Sequence, residues 1–262
     1  MYKKLILSLT ILFAMPLSAV ADVLILVPGY LSNGHTWRTH GITHSLVAND
    51  WTDGGNFVLG PKGPQLDLPA ATSKKRFYTV ELPSEAPLPL QAQYLNTYID
   101  SVRAIHPDEN LTLAGHSAGG VLARYVMVTR PSHKVDALIT IASPHSGSDA
   151  AEAGKAISNS PVGWFAPMFG ANTINRSRGL YHDLGRPSGN NLLGWLNTRQ
   201  HPQASYVSIV RNGDEWVDAS SQDMNRVPAL RGRSSVRVTQ GKHSLHPGDG
   251  ILLVHVLAEL SK

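Results

Sequence analysis

Three kinds of side chain in this sequence could together carry out acyl transfer: a serine on a tight turn, carboxylates after a later strand, and histidines near the carboxyl terminus. The serine is Ser117, in LTLAGHSAGGVLARYV. An apolar run leads into Gly115-His116-Ser117-Ala118-Gly119, and an amphipathic pattern follows at once. Gly115 and Gly119 are the small neighbours that a sharp strand-to-helix turn requires. Such a turn lifts the hydroxyl above a sheet and aims the next helix's N-terminus at it. The unpaired N–H groups there suit a developing negative oxygen. A serine hydroxyl is a weak nucleophile at neutral pH, so it needs a base, and the base needs an orienting acid.

The base candidates stand in QGKHSLHPGDG, where His243 and His246 lie three residues apart. The acid candidates are Asp214, Glu215, Asp218 and Asp223, with Asp214 the first carboxylate past the pattern SYVSIV. Asn212-Gly213-Asp214 is also good turn chemistry. A metal reading of the two histidines would need a third ligand and, better, a helical setting. Pro247 and Gly248 argue against a helix there, and the chain has no cysteine and no HExxH pattern. Neither metal nor cofactor is expected. His255 falls in the last helical pattern, packed or half-exposed. His35, His40, His44, His145 and His182 read as loop or surface residues.

These residues need a scaffold. Val23 to Val27 form an apolar run without polar alternation, the mark of a strand buried on both faces of a parallel sheet. Further strands are expected in KRFYTVELP, ENLTLAGHS, VDALITIASPH, ASYVSIVRNGD and SSVRVTQGKH. Helical spacing appears at Leu90, Tyr94, Leu95, Tyr98, Ile99, Val102 and Ile105, ended by Pro107. A second helix follows Ser117, with Val121, Leu122, Tyr125 and Val126 as its buried stripe, and GILLVHVLAEL makes a third. Strands alternating with helices argue for an α/β domain around a mostly parallel sheet, with helices on both faces. Two stretches break the rhythm. The Gly- and Pro-rich segment from Ala48 to Lys74 reads as a surface excursion. The segment of about 146–203 is too long for a bare loop and reads as an inserted cap or lid. Its Trp164, Phe165, Met168 and Phe169 would pack the cap, or wall an acyl site that touches a lipid surface transiently.

The chain has 262 residues and a formal charge of +4. Lys3 and Lys4, an apolar run from Leu5 to Leu17 and the small-x-small Ala19-Val20-Ala21 read as a secretory signal over 1–21. Export to the periplasm or beyond is the expectation, with 22–262 as one domain. No cluster of Lys and Arg with interleaved aromatics points to nucleic acid. Oligomeric state is not legible.

GHSAGG, LILVPGY and ITIASPHSGS carry a resemblance to the α/β-hydrolase superfamily, and above all to secreted bacterial lipases and esterases. GHSAGG is similar to their GHSxGG nucleophile turn and ITIASPHSGS to their TPHRGS-type stretch. The resemblance covers essentially the whole mature chain. It implies the order Ser, acid, His, hence Ser117, Asp214 and His243, the last because its distance from the final helix matches a typical lipase ending better than that of His246. It also implies an oxyanion hole from the backbone of Ala118 and of Tyr30 in Pro28-Gly29-Tyr30, with Leu31 as the alternative donor. Proline stands where lipases carry histidine, so that histidine's supporting bond is missing. The implied activity is hydrolysis of an ester or lipid substrate through an acyl-enzyme. A thioesterase, amidase or acyltransferase of the same fold is the alternative, and a non-catalytic binding or chaperone protein the more distant one.

Overall fold

The computed structural model describes residues 22–69, 73–160 and 172–261. The expected signal segment and the aromatic cluster at 164–169 lie outside these residues.

Eight strands form one sheet: β1 (Asp22–Val27), β2 (Thr52–Gly60), β3 (Gly63–Leu66), β4 (Lys75–Val80), β5 (Asn110–His116), β6 (Ala137–Ile141), β7 (Ser205–Asn212) and β8 (Ser234–Gln240). Their order is β3-β2-β4-β1-β5-β6-β7-β8, and every pairing is parallel except β2 with β3. Strand β1 shows why its sequence is uniformly apolar. Val23, Ile25 and Val27 enter one core, while Leu24 and Leu26 enter a second core on the opposite face. With both faces covered, period-two alternation of side chains needs apolar residues at every position.

The helices are α1 (Thr36–Thr39), α2 (Ile42–Val47), α3 (Leu88–Ile105), α4 (Ala118–Thr129), α5 (Asp149–Ser158), α6 (Asn172–Arg176), α7 (Arg178–Leu184), α8 (Leu192–Asn197), α9 (Ala219–Gln222) and α10 (Pro247–Leu260). Helices α3 and α4 cover the first face and α2 and α10 the second. The buried stripe of α3 is Leu88, Gln91, Ala92, Leu95, Tyr98, Ile99 and Val102. Leu90 and Ile105, expected in that stripe, are exposed. In α4, Val121, Leu122 and Val126 are buried as expected, and Tyr125 is half-buried.

Two expectations need correction. The Gly-rich segment after Ala48 is not a surface excursion: it supplies β2 and the hairpin to β3. The glycines mark a bulge, where the register shifts between Asp53 and Asn56. A Cβ on Gly54 would stand 2.4 Å from the Tyr78 ring, so only glycine lets the strand cross there. The last helix begins at Pro247, where a helix seemed disfavoured. Proline suits the first helical turn because its missing N–H would lack a partner anyway. His246 stands at the N-cap of this helix: its amide donates to the Asp249 carboxylate at 2.8 Å, and its carbonyl accepts from the Asp249 amide at 2.9 Å.

The segment of about 146–203 lies between β6 and β7 and carries α5, α6, α7 and α8 among its described residues. Helices α5 and α7 pack together over the carboxyl ends of the central strands, where they wall the cavity that holds Ser117.

Candidate active site

Ser117 stands between β5 and α4, as the N-cap of that helix, at φ 52° and ψ −127°, a backbone region that L-residues rarely adopt. Its amide donates to Ile141 O at 2.8 Å, which fixes the turn against β6. A Cβ on Gly115 would stand 2.5 Å from the Gly120 backbone, and one on Gly119 2.4 Å from Pro28 O. The two glycines therefore allow α4 to press against β5 and against the loop after β1.

The loops after β7 and β8 bring the partners. The Ser117 hydroxyl lies 2.8 Å from His243 Nε2, and His243 Nδ1 lies 2.8 Å from Asp214 Oδ2. The structure thus joins the three expected residues in one hydrogen-bonded line, across 126 and 29 residues of sequence. His246 is not part of it; its ring sits at the start of α10. Among the described residues no group of three or more His, Cys, Asp or Glu side chains could hold a metal ion.

Asp214 is oriented before it meets the imidazole. Its Oδ1 accepts from the amides of Trp216 and Val217 at 2.8 and 3.0 Å, and Oδ2 also accepts from Gln222 Nε2 at 3.3 Å. Burial alone would raise the carboxyl pKa. The bonds from His243 and the two amides outweigh burial and hold it below the usual value, so the group stays ionised. Glu215 does not reach the imidazole; its Oε2 accepts from the His243 amide at 3.0 Å.

Other residues support the imidazole, and their roles were not legible in the sequence. The Trp216 ring stacks on that of His243, 7° from parallel with centroids 5.6 Å apart. His116 Nε2 donates to His243 O at 2.9 Å. Burial, then the neighbouring His243, pushes the His116 pKa down to about 3, so the ring is a neutral donor. Arg211 donates to the carbonyls of residues 242–244. One signal for Arg211 was available: in β7 it shares a face with Val207 and Ile209, so a side chain there must be buried.

Ala118 is the first residue of α4, so its amide is one of the helix's unpaired donors. Among the described residues no acceptor takes the amides of Ala118, Tyr30 or Leu31. All three residues border the cavity at Ser117. The Tyr30 hydroxyl meets that of Tyr181 on α7 at 2.6 Å, which ties the loop after β1 to the helices after β6.

The cavity encloses about 690 Å³. Ala151, Gly154, Ile157, Leu180 and Leu184 give it an apolar wall on α5 and α7. Gly154 lets α5 approach α7 closely, since a Cβ there would stand 2.9 Å from the Tyr181 ring.

Comparison with known proteins agrees with this architecture. A GPI inositol-deacylase of Debaryomyces hansenii is 39% identical over an alignment of 64 residues that covers 21% of this chain and 6% of that protein. The chain therefore matches only a small part of that relative's length. A solved Bacillus licheniformis lipase superposes with a TM-score of 0.59 at 13% identity, covering 95% of both chains. A Listeria innocua protein superposes with a TM-score of 0.62 at 12% identity, covering 92% of this chain and 93% of that one. At such identities the superpositions speak for the fold alone. Residues 23–158, more than half of the chain, match the PGAP1-like alpha/beta domain; the matched span contains Ser117 and ends before Asp214 and His243. The chain belongs to the PGAP1-like alpha/beta domain family, within the α/β-hydrolase superfamily.

Proposed function

We propose that the protein is a serine hydrolase that cleaves carboxylic esters through an acyl-enzyme. The observation that carries this reading is the line Asp214–His243–Ser117, with both contacts at 2.8 Å, opening into the cavity. His243 Nε2 takes the Ser117 proton as Oγ attacks the ester carbonyl. Asp214 holds Nδ1–H, which leaves the Nε2 lone pair facing the serine and offsets the imidazolium charge. The carbonyl oxygen gains negative charge and accepts from the amides of Ala118 and Tyr30. Collapse of the tetrahedral intermediate expels the alcohol, which the imidazolium protonates. Water then repeats the sequence on the acyl-enzyme. The apolar wall of α5 and α7 supports an apolar acyl group as the part bound there.

The test is turnover of p-nitrophenyl esters beside thioester and amide analogues. Ser117→Ala and His243→Ala should each lower kcat by at least about 10³-fold, while His246→Ala keeps turnover within about threefold. Full activity of folded Ser117→Ala would reject the reading. Full activity of His243→Ala would reject this base.

A further inference from the structure

We propose that Arg211 is a positioning residue: from its buried place on β7 it clamps the loop of residues 242–244 and so holds His243 between Ser117 and Asp214. This inference rests on the serine-hydrolase reading above.

Arg211 is wholly buried. Its Nη1 lies 2.6 Å from Lys242 O, 2.7 Å from His243 O and 2.6 Å from Ser244 O. Two N–H bonds are thus shared by three successive carbonyls, and the loop must curl around one nitrogen. Its Nη2 donates to the Asp249 carboxylate in the first turn of α10, an ion pair with side chains 0% and 1% exposed. One planar guanidinium therefore fixes the strand that precedes Asp214, the loop that carries His243 and the helix that follows it. Lysine cannot do this, because a point donor on a flexible stem lacks the rigid fork that serves two sites at once.

The clamp acts on the atoms that matter for the base. The His243 carbonyl accepts from both Arg211 and His116, and its amide donates to Glu215. Its backbone is held on both sides, so the ring has little freedom to leave the serine. A hydrogen-bonded catalytic pair needs placement within about 0.5 Å.

Arg211 also brings charge near the base. The titratable and charged groups around His243 are Asp214 on its Nδ1, Glu215 on its amide, the His116 ring at 5.1 Å, the adjacent Lys242, and Arg211 below with Asp249 behind it. Asp249 balances the guanidinium.

Two variants test the clamp. Arg211→Lys should lower kcat for a p-nitrophenyl ester by about 10- to 100-fold with KM within about twofold. If Arg211→Lys does not fold, the double variant Arg211→Met/Asp249→Leu removes both buried charges together and is read for the same fall in kcat. Wild-type kcat in a folded Arg211 variant, or a rise in KM with kcat unchanged, would overturn the proposal. Labelling by a fluorophosphonate separates the two layers. An unlabelled wild type rejects the hydrolase reading itself; a labelled wild type matched in rate by Arg211→Lys rejects the clamp alone.

Discussion

Ser117 stands in a strained backbone conformation, at φ 52° and ψ −127°. Such a residue costs on the order of 1–3 kcal/mol, and the cost persists because the surrounding elements hold it there. Glycine adopts this region without a Cβ penalty, though it gives up more freedom on folding. Ser117→Gly should therefore be inactive yet more stable by about 1 kcal/mol, a rise in Tm of roughly 2–4 °C for a chain of this size. A calorimetric Tm at or below that of the wild type would contradict the strain. Ser117, Asp214 and His243 were legible because nucleophile, acid and base follow strand ends in a fixed order. Arg211, His116 and Glu215 were not, because they act on backbone groups of the His243 loop. A residue's type does not tell which backbone group it will meet 28 to 127 positions away.

The elements place these residues through close approaches that tolerate no side chain. Gly119 lets α4 meet the loop after β1, and a Cβ there would stand 2.4 Å from Pro28 O and 2.5 Å from Val27 O. Both are backbone atoms, of the last residue of β1 and of the residue after it, so neither can rotate away. Gly119→Ala should cost at least about 2 kcal/mol, by analogy with overpacked cores. It should also separate Ala118 from Tyr30, the two proposed oxyanion donors. A urea midpoint equal to the wild type would show that α4 shifts freely, against this account. The central strands were legible from their apolar runs, since burial on both faces leaves no polar position. Strand β2 was hidden by its own Gly54 and Gly55, which resemble a loop in sequence but form a bulge beside Tyr78. The start of α10 was hidden by Pro247, whose disfavour inside a helix becomes suitability at its first position.

Across the whole molecule, polar groups lie deep inside the domain. His116, His145 and His201 are all buried and held neutral. Burial is the main cause for each. The His243 charge adds to it for His116, and the Arg124 guanidinium adds to it for His145 and His201. Only His116 touches the candidate base, so the other two report on the fold rather than on catalysis. Their folded pKa values lie below the 6.5 of the unfolded chain: about 3 for His116, about 4 for His201, and well below 6.5 for His145. The unfolded state therefore binds more protons once the pH drops beneath 6.5. The stability these residues contribute is whole above that pH and is lost as the pH falls toward about 4. Each histidine adds up to about 1.4 kcal/mol per pH unit in that window. Asp214 titrates lower, because its folded pKa lies beneath the usual carboxylate value, and its loss begins only in stronger acid. Urea unfolding at pH 7 and at pH 5 should thus show a steep fall in stability. His145→Gln keeps a donor toward Thr140, which His145 contacts at 3.1 Å, and removes one titrating group. Its stability should fall less steeply with acid than that of the wild type, by up to about 1.4 kcal/mol per pH unit. Equal slopes for the two proteins would mean that His145 is not held neutral in the folded domain.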